Sequence, residues 1–325
     1  MKVERRMFLS TMAASVAALK LAERASEAAP ARTYTAGKFA LELDGGVAGW
    51  LQSVKGGDAR GDVVVEALGI GGSYPKKHLA QLSYADIEMT LSLPLAGSLA
   101  DWIEATLAGA LDRRDGAIVA MDAQYKEMWR REFSSALITD VQFPALDGAG
   151  KDPAFLTVKL QPEYTTRAKG SGAKLGAAKA SKKWLSSNFR LTLGDLDCSR
   201  VTKIDSLTIK REMLEDELGD VRNYMKMPGD FDVSDLVVTL PEAYAQDFVD
   251  WHEDFVVKGN CSDGDELKGK LELLAPDLTE VLGTIELSNV GIFGISDDAS
   301  SANADSIRTI KAEMYVEKVS FESKG

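Results

Sequence analysis

Part of this chain is written twice. Tyr84–Glu104, YADIEMTLSLPLAGSLADWIE, returns as Val233–Glu253, VSDLVVTLPEAYAQDFVDWHE. Asp86, Thr90, Leu91, Asp101, Trp102 and Glu104 recur as Asp235, Thr239, Leu240, Asp250, Trp251 and Glu253, all at one ungapped offset of 149 residues. In the first copy Ile87, Met89, Leu91 and Leu93 alternate with polar residues, the period of a strand with one wet face. Ser98 then stands as a helix cap, with Leu99, Trp102, Ile103, Thr106 and Leu107 following at helical spacing. Phe248, Trp251, His252 and Phe255 hold the same face in the second copy. A strand and one helix cannot bury their apolar faces alone, so the repeat calls for two equivalent surrounding domains.

Those surroundings repeat as well. KFALELDG (38–45) answers to NFRLTLGD (188–195), with Phe39 and Phe189 opening the alternation. Residues 116–136 answer to 269–289, and FLTVKLQPEY (155–164) and IKAEMYVEKVSF (310–321) supply closing strands. The expected division is an N-terminal arm or export-signal-like segment at 1–35, a first domain at 36–166, a linker at 167–185 and a second domain at 186–325. Trp102, Trp251, Phe39, Phe189 and Phe133 are the expected core anchors. In the first domain, Trp50–Val54 continues a hairpin out of the turn at 44–46, Asp62–Leu68 reads as a strand, and GIGGSYPKKHL (69–79) reads as a long loop.

Charge narrows the function. The 325 residues carry a net charge of −12, and 212–298 holds 22 Asp and Glu against 5 Lys and Arg, a local net of −17. A general nucleic-acid binder needs the opposite balance to neutralise phosphates. Thr165–Trp184, by contrast, has six Lys and Arg and no acid. Its Gly, Ala, Ser and Lys composition predicts a flexible connection whose charge is solvated or rests on the acidic second domain, the alternative being electrostatic docking to a neighbouring subunit.

Catalytic, metal and cofactor residues are expected to be absent. The two histidines, His78 and His252, sit in non-equivalent places, His252 standing where the first copy has Ile103. No His-x-x-x-His, Cys-x-x-Cys or Gly-x-Ser-x-Gly occurs, and the Gly-rich stretch after Leu68 lacks the Lys-Ser/Thr of a phosphate loop. Asp101, Glu104, Asp250, Glu253 and Asp254 occupy helix positions where acids favour the dipole. Cys198 and Cys261 are too few for a disulfide framework, and whether they pair stays open. No run of 18 apolar residues occurs, so no membrane span is expected. The N-terminal ERRMFL (4–9) resembles a twin-arginine export signal, which would make the chain a periplasmic or secreted β-rich binding protein. The alternative is an amphipathic arm built on Phe8, Met12, Val16 and Leu19.

The order of parts resembles the tail tube proteins of contractile phages and phage-like injection systems. The resemblance rests on F-x-L-E-L-D-G at 39–45, the strand ending Thr-Leu, Asp-Trp-Ile-Glu at 101–104, Arg-Arg-Asp at 113–115 and Trp-x-x-x-Phe at 129–133. It covers 36–166 fully and 186–322 more weakly, since Arg113–Asp115 is replaced by Cys261–Asp263 and Phe133 by Leu287. The resemblance implies a mainly β (α+β) fold of two tandem β-sandwich or barrel domains, each with one packed helix. It implies a structural, non-enzymatic subunit forming rings that stack round a lumen, assembled in the cytoplasm and residing in a virion or injection particle. Implied partners are further copies of the chain, with three closing a pseudo-sixfold ring, and sheath, baseplate or other tail proteins. DNA or protein cargo would pass without specific binding. Gly69, Gly71, Gly72, Tyr74, Lys76 and Lys77, with Met227 and Asp230 in the counterpart Met225–Asp232 and Tyr224 just before it, are the candidate contacts between stacked rings.

Overall fold

Asp44 and Gly45 both adopt positive φ, 51° and 78°, the backbone that a two-residue hairpin turn requires. This turn joins β1 (Lys38–Leu43) to β2 (Gly46–Gly56). The structure is a computed structural model, and it describes residues 37–66, 74–95, 97–176, 184–216, 225–297 and 307–324. The proposed N-terminal arm or signal lies outside the described residues. No described helix is long and apolar enough to cross a membrane.

The remaining strands of the first half are β3 (Ala59–Glu66), β4 (Lys76–Tyr84), β5 (Ile87–Leu91), β6 (Arg114–Met121), β7 (Glu127–Phe143), β8 (Leu146–Asp147), β9 (Leu156–Gln161) and β10 (Tyr164–Lys169). Six of them form a closed antiparallel circuit, β1–β6–β7–β9–β5–β2 and back to β1. Closure leaves the barrel wall without a free edge. Alternation explains the wall: Ile87, Met89 and Leu91 are buried between half-exposed Glu88 and Thr90.

The second half supplies β11 (Phe189–Leu193), β12 (Lys203–Ile204), β13 (Leu207–Asp216), β14 (Met225–Val233), β15 (Leu236–Pro241), β16 (Leu267–Leu274), β17 (Val281–Asp297) and β18 (Thr309–Ser323). Their pairing path is β11–β16–β17–β18–β15–β12, the same order element for element. Here the circuit stays open among the described residues, because β12 pairs with β8 of the first half instead of β11. Irregularities fall at matching places. The register shifts between Ile138 and Asp140 in β7 and between Ile292 and Gly294 in β17. It also shifts between Gly61 and Val63 in β3 and between Arg211 and Met213 in β13. Two glycines match too: a Cβ at Gly116 would lie 2.4 Å from the Glu42 carbonyl oxygen, and one at Gly269 would lie 2.5 Å from that of Thr192.

Helix α1 (Gly97–Leu107) buries Leu99, Trp102, Ile103, Thr106 and Leu107. Ser98 falls inside its first turn, two positions later than a cap. The Trp102 indole donates to the Asp112 carbonyl at 2.8 Å, so its polar edge is satisfied within a dry core. Helix α2 (Gln246–His252) continues as a π-helical turn, Glu253–Val257, and buries Phe248 and Phe255. Trp102 and Phe133 are core residues; Phe39, Phe189 and Trp251 are half-buried and pack against its margin. Cys198 is buried in a turn after β11, not in a strand as its neighbours suggest, while Cys261 is exposed; both are free thiols.

The segment expected to be a flexible linker is tied down over its described part. β10 pairs with β7, the Glu127 amide donates to the Ala173 carbonyl at 2.9 Å, and the Leu175 amide donates to that of Tyr125 at 3.0 Å. The Arg167 guanidinium stacks 4.9 Å from the Trp129 ring centre, and Trp184 is completely buried. Long basic side chains here cover apolar surface with their stems while their charges stay wet, which composition alone does not distinguish from a solvated linker.

Candidate assembly interface

The two halves are joined sheet to sheet. β7 uses one edge for β6 as far as Ala136, and beyond the bulge Asp140–Phe143 accepts the root of β13, Leu207–Lys210. Leu207 and Ile209 are 2% and 3% exposed in this seam. Phe143 lies across from Leu207 and meets Phe321 of β18, ring centres 5.2 Å apart. A second ladder pairs β8 with β12, with Lys203 Nζ 3.2 Å from Asp147 Oδ2. The Ala149 amide and Lys203 hold the Asp147 carboxyl below its ordinary pKa. The first helix contributes a third tie: Glu104 accepts a hydrogen bond from the Ser323 amide at 3.2 Å, and the Ser323 hydroxyl accepts one from the Leu95 amide at 3.1 Å. Arg211 is 7% exposed. It donates to the carbonyls of Ala110 at 3.2 Å and Gly229 at 3.3 Å, with its guanidinium 4.7 Å from the Phe231 ring centre. One continuous apolar core therefore runs through both halves.

Beyond the seam, two hairpin ribbons project. In β3–β4 every residue of β3 is exposed, including Val63, Val64 and Val65 at 56%, 48% and 54%, with Leu79 at 71% and Tyr74 at 83%. Among the described residues β3 and β4 pair only with each other. A two-stranded ribbon gains little stability alone, and consecutive valines face water on both of its sides. The matching β13–β14 ribbon exposes Leu214 and Met227.

These positions correct the expected loop. Lys76 and Lys77 lie within β4, and Met227 and Asp230 within β14. With both faces wet, the alternation that normally marks a strand is missing from β4. Tyr74 precedes β4 and is exposed, while Gly69, Gly71, Gly72 and Tyr224 lie outside the described residues. Sequence reasoning missed the seam residues Leu207 and Ile209, although their alternation in SLTIK was visible.

Several charged groups of the first half pair among themselves. Arg113 meets Glu163, Arg130 meets Glu42, and Arg131 meets Asp58. Arg114 donates to Asp112 at 2.9 Å and to the Ser98 carbonyl at 2.8 Å, so the Arg-Arg-Asp stretch links α1 to the start of β6 and the edge of β10. Among the described residues no group of three His, Cys, Asp or Glu side chains is placed to hold a metal ion.

Residues 35–166 match the family described as T4-like virus tail tube protein gp19. No curated protein matches the chain. Similar solved structures include a chain of the PVC sheath–tube complex of an extracellular contractile injection system in its extended state. It shows 20% identity and a TM-score of 0.38, covering 44% of this chain and 97% of that one. The tube-terminating cap of the anti-feeding prophage shows 16% identity and a TM-score of 0.37, covering 47% and 98%. Hcp1 from Flavobacterium johnsoniae shows 14% identity and a TM-score of 0.29, covering 41% and 96%.

Proposed function

We propose that this chain, whose residues 35–166 match the T4-like virus tail tube protein family, is a structural tail-tube component that assembles with copies of itself into rings that stack round a lumen. It serves either as the tube or as an adaptor at the tube's end. The chain is read as a tandem duplication of one tube module, its two copies occupying successive places in the ring wall. The recurring pairing order and matching bulges support that reading. The observation that carries the assembly is the β13-on-β7 seam, in which one half extends the sheet of the other without a break. A wall made by such extension leaves a free edge at each end of an unassembled chain, and ring closure covers both. Three chains then make a ring of six quasi-equivalent modules. The β3–β4 and β13–β14 ribbons, carrying Tyr74, Lys76, Lys77, Met227 and Asp230, are assigned to contacts between stacked rings. The acidic surplus suits a conduit for acidic cargo, since like charge keeps the wall from gripping what passes. Sheath, baseplate and other tail proteins are the outer partners.

Negative-stain electron microscopy of the full chain, with native mass measured in parallel, tests this. Rings or short tubes built from a threefold mass are expected. A monomer at every concentration would overturn self-assembly.

A further inference from the structure

We infer that the seam between rings' neighbouring chains copies the seam inside the chain in a defined register: Gly57–Arg60 of one chain pairs antiparallel with Gly294–Asp297 of a second copy. The inference rests on the ring reading above and specifies its contact.

The register follows from the ladders. In each half the second strand after the helix pairs with a later strand, β9 or β18, at fixed places: Ile138 opposes Leu160 and Val141 opposes Val158, just as Ile292 opposes Met314 and Ile295 opposes Ala312. Aligning the bulges makes Gly294–Asp297 the counterpart of Asp140–Phe143. The ribbons align equally well, since Ala59 opposes Tyr84 where Ile209 opposes Val233. Even the backbone bond at the ribbon root recurs, Ala85 donating to the Asp58 carbonyl at 3.0 Å and Ser234 to that of Thr208 at 2.9 Å. Gly57–Arg60 is thus the counterpart of Leu207–Lys210. Within the chain Leu207–Lys210 lies on Asp140–Phe143, so the copied seam sets Asp58 against Ser296 and Arg60 against Gly294.

Neither edge carries a second strand. Among the described residues Gly294–Asp297 pairs with β18 alone and β3 with β4 alone, while Gly57 and Asp58, just before β3, meet the Thr165 hydroxyl through the Gly57 carbonyl and Arg131 through the Asp58 carboxylate. Burial agrees: Val141 and Phe143 are buried by the second half, whereas their counterparts Ile295 and Asp297 are half-buried and exposed.

Charge supports a second copy as the occupant. In the internal seam Lys210 opposes Asp140, which lies 3.7 Å from Lys159. In the copied seam Arg60 opposes Gly294, and an ideal Cβ at Gly294 would lie 2.8 Å from the carboxylate of Glu313, the counterpart of Lys159. The acid moves one strand over and still faces a cation. The helix tie also has a counterpart. β9 and β10 together match β18, with Arg167 opposite Arg131 where Phe321 opposes Ile285. The place of Ser323 is therefore taken by Lys169, and that of Glu104 by Glu253. Both are exposed and of opposite charge, and the copied seam would bring them together across two chains. Gly57 and Ala59 replace Leu207 and Ile209, so the seam between chains buries less apolar surface than the internal one and forms at higher concentration.

The test uses the full chain with Cys261→Ser to remove its exposed thiol. Asp58→Cys combined with Ser296→Cys should give disulfide-linked oligomers on mild oxidation. Asp58→Cys combined with Asp297→Cys, slipped by one residue to the opposite face, should not. Equal linking by both pairs, or none by the first, overturns the register. Rings of threefold mass without the expected link sink this inference and leave the ring reading standing; monomers without the link sink both. As a second measure, Lys169→Glu alone and Glu253→Lys alone should each reduce assembly at low salt, and the two together should restore it. Absence of rescue counts against the helix tie.

Discussion

Phe143→Ala tests whether the two halves share one core. Phe143 is 1% exposed, lies opposite Leu207 across the seam, and meets Phe321 at 5.2 Å between ring centres and 56° between ring planes. Truncating a buried phenylalanine removes its transfer free energy and leaves a cavity, at a cost of about 3–5 kcal/mol. Neighbouring strands on both sides hold the site open, which places Phe143 towards the upper part of that range. Of this loss, about 1 kcal/mol belongs to the aromatic pair itself. Urea unfolding of the full chain should therefore show a midpoint shift equivalent to about 4 kcal/mol at unchanged slope. A double-mutant cycle with Phe321→Ala should return a coupling of about 0.5–1.5 kcal/mol. A loss below about 1 kcal/mol, in the range of an ordinary surface substitution, would refute the packing of the seam described here. Zero coupling would refute the ring contact.

Two further outcomes follow from particular contacts. Gly116→Ala and Gly269→Ala should each cost about 2 kcal/mol, read by chemical unfolding, because the added methyl meets a carbonyl oxygen at 2.4 and 2.5 Å respectively; a neutral result at either would contradict the close crossing of β1 with β6 or of β11 with β16. In acid, Asp147 and Glu272 should contribute to loss of stability. The Ala149 amide and Lys203 lower the Asp147 pKa, and at Glu272 burial raises it but hydrogen bonds from Arg190 and Lys270 prevail and lower it. A depressed folded pKa stabilises above the unfolded carboxylate value and is lost as pH falls through the folded one, so Asp147→Asn and Glu272→Gln should flatten the pH dependence of the unfolding midpoint below about pH 4; an unchanged acid limb would sink this assignment.

Much of the architecture was legible because the repeated pattern is local. Ile87, Met89 and Leu91 alternate within five residues, and Trp102 stands at a fixed distance from them, so strand and helix could be read from spacing. The strand character of β10 was hidden because Thr166, Arg167 and Lys169, spread over both faces of the strand, are all polar and exposed. The start of β4 was hidden for the related reason that both its faces meet solvent. The seam was illegible in a different sense. Leu207 and Ile209 announce a half-buried strand, but which edge they join depends on Asp140–Phe143, far back in the chain, and on the bulge that frees that edge. Long-range register of this kind leaves its mark in no single window of sequence.

The internal seam bears on how fast a ring can grow. A wall of six separate modules must find six contacts by diffusion, and its early intermediates compete with dissociation at every step. In the ring proposed above, one contact in two would be closed during folding, with its edges held together by the polypeptide at an effective concentration in the millimolar range. In a ring of three chains the remaining contacts are three, so the rate of closure would depend less steeply on protein concentration, and partial rings of one or two chains would already carry an even number of modules.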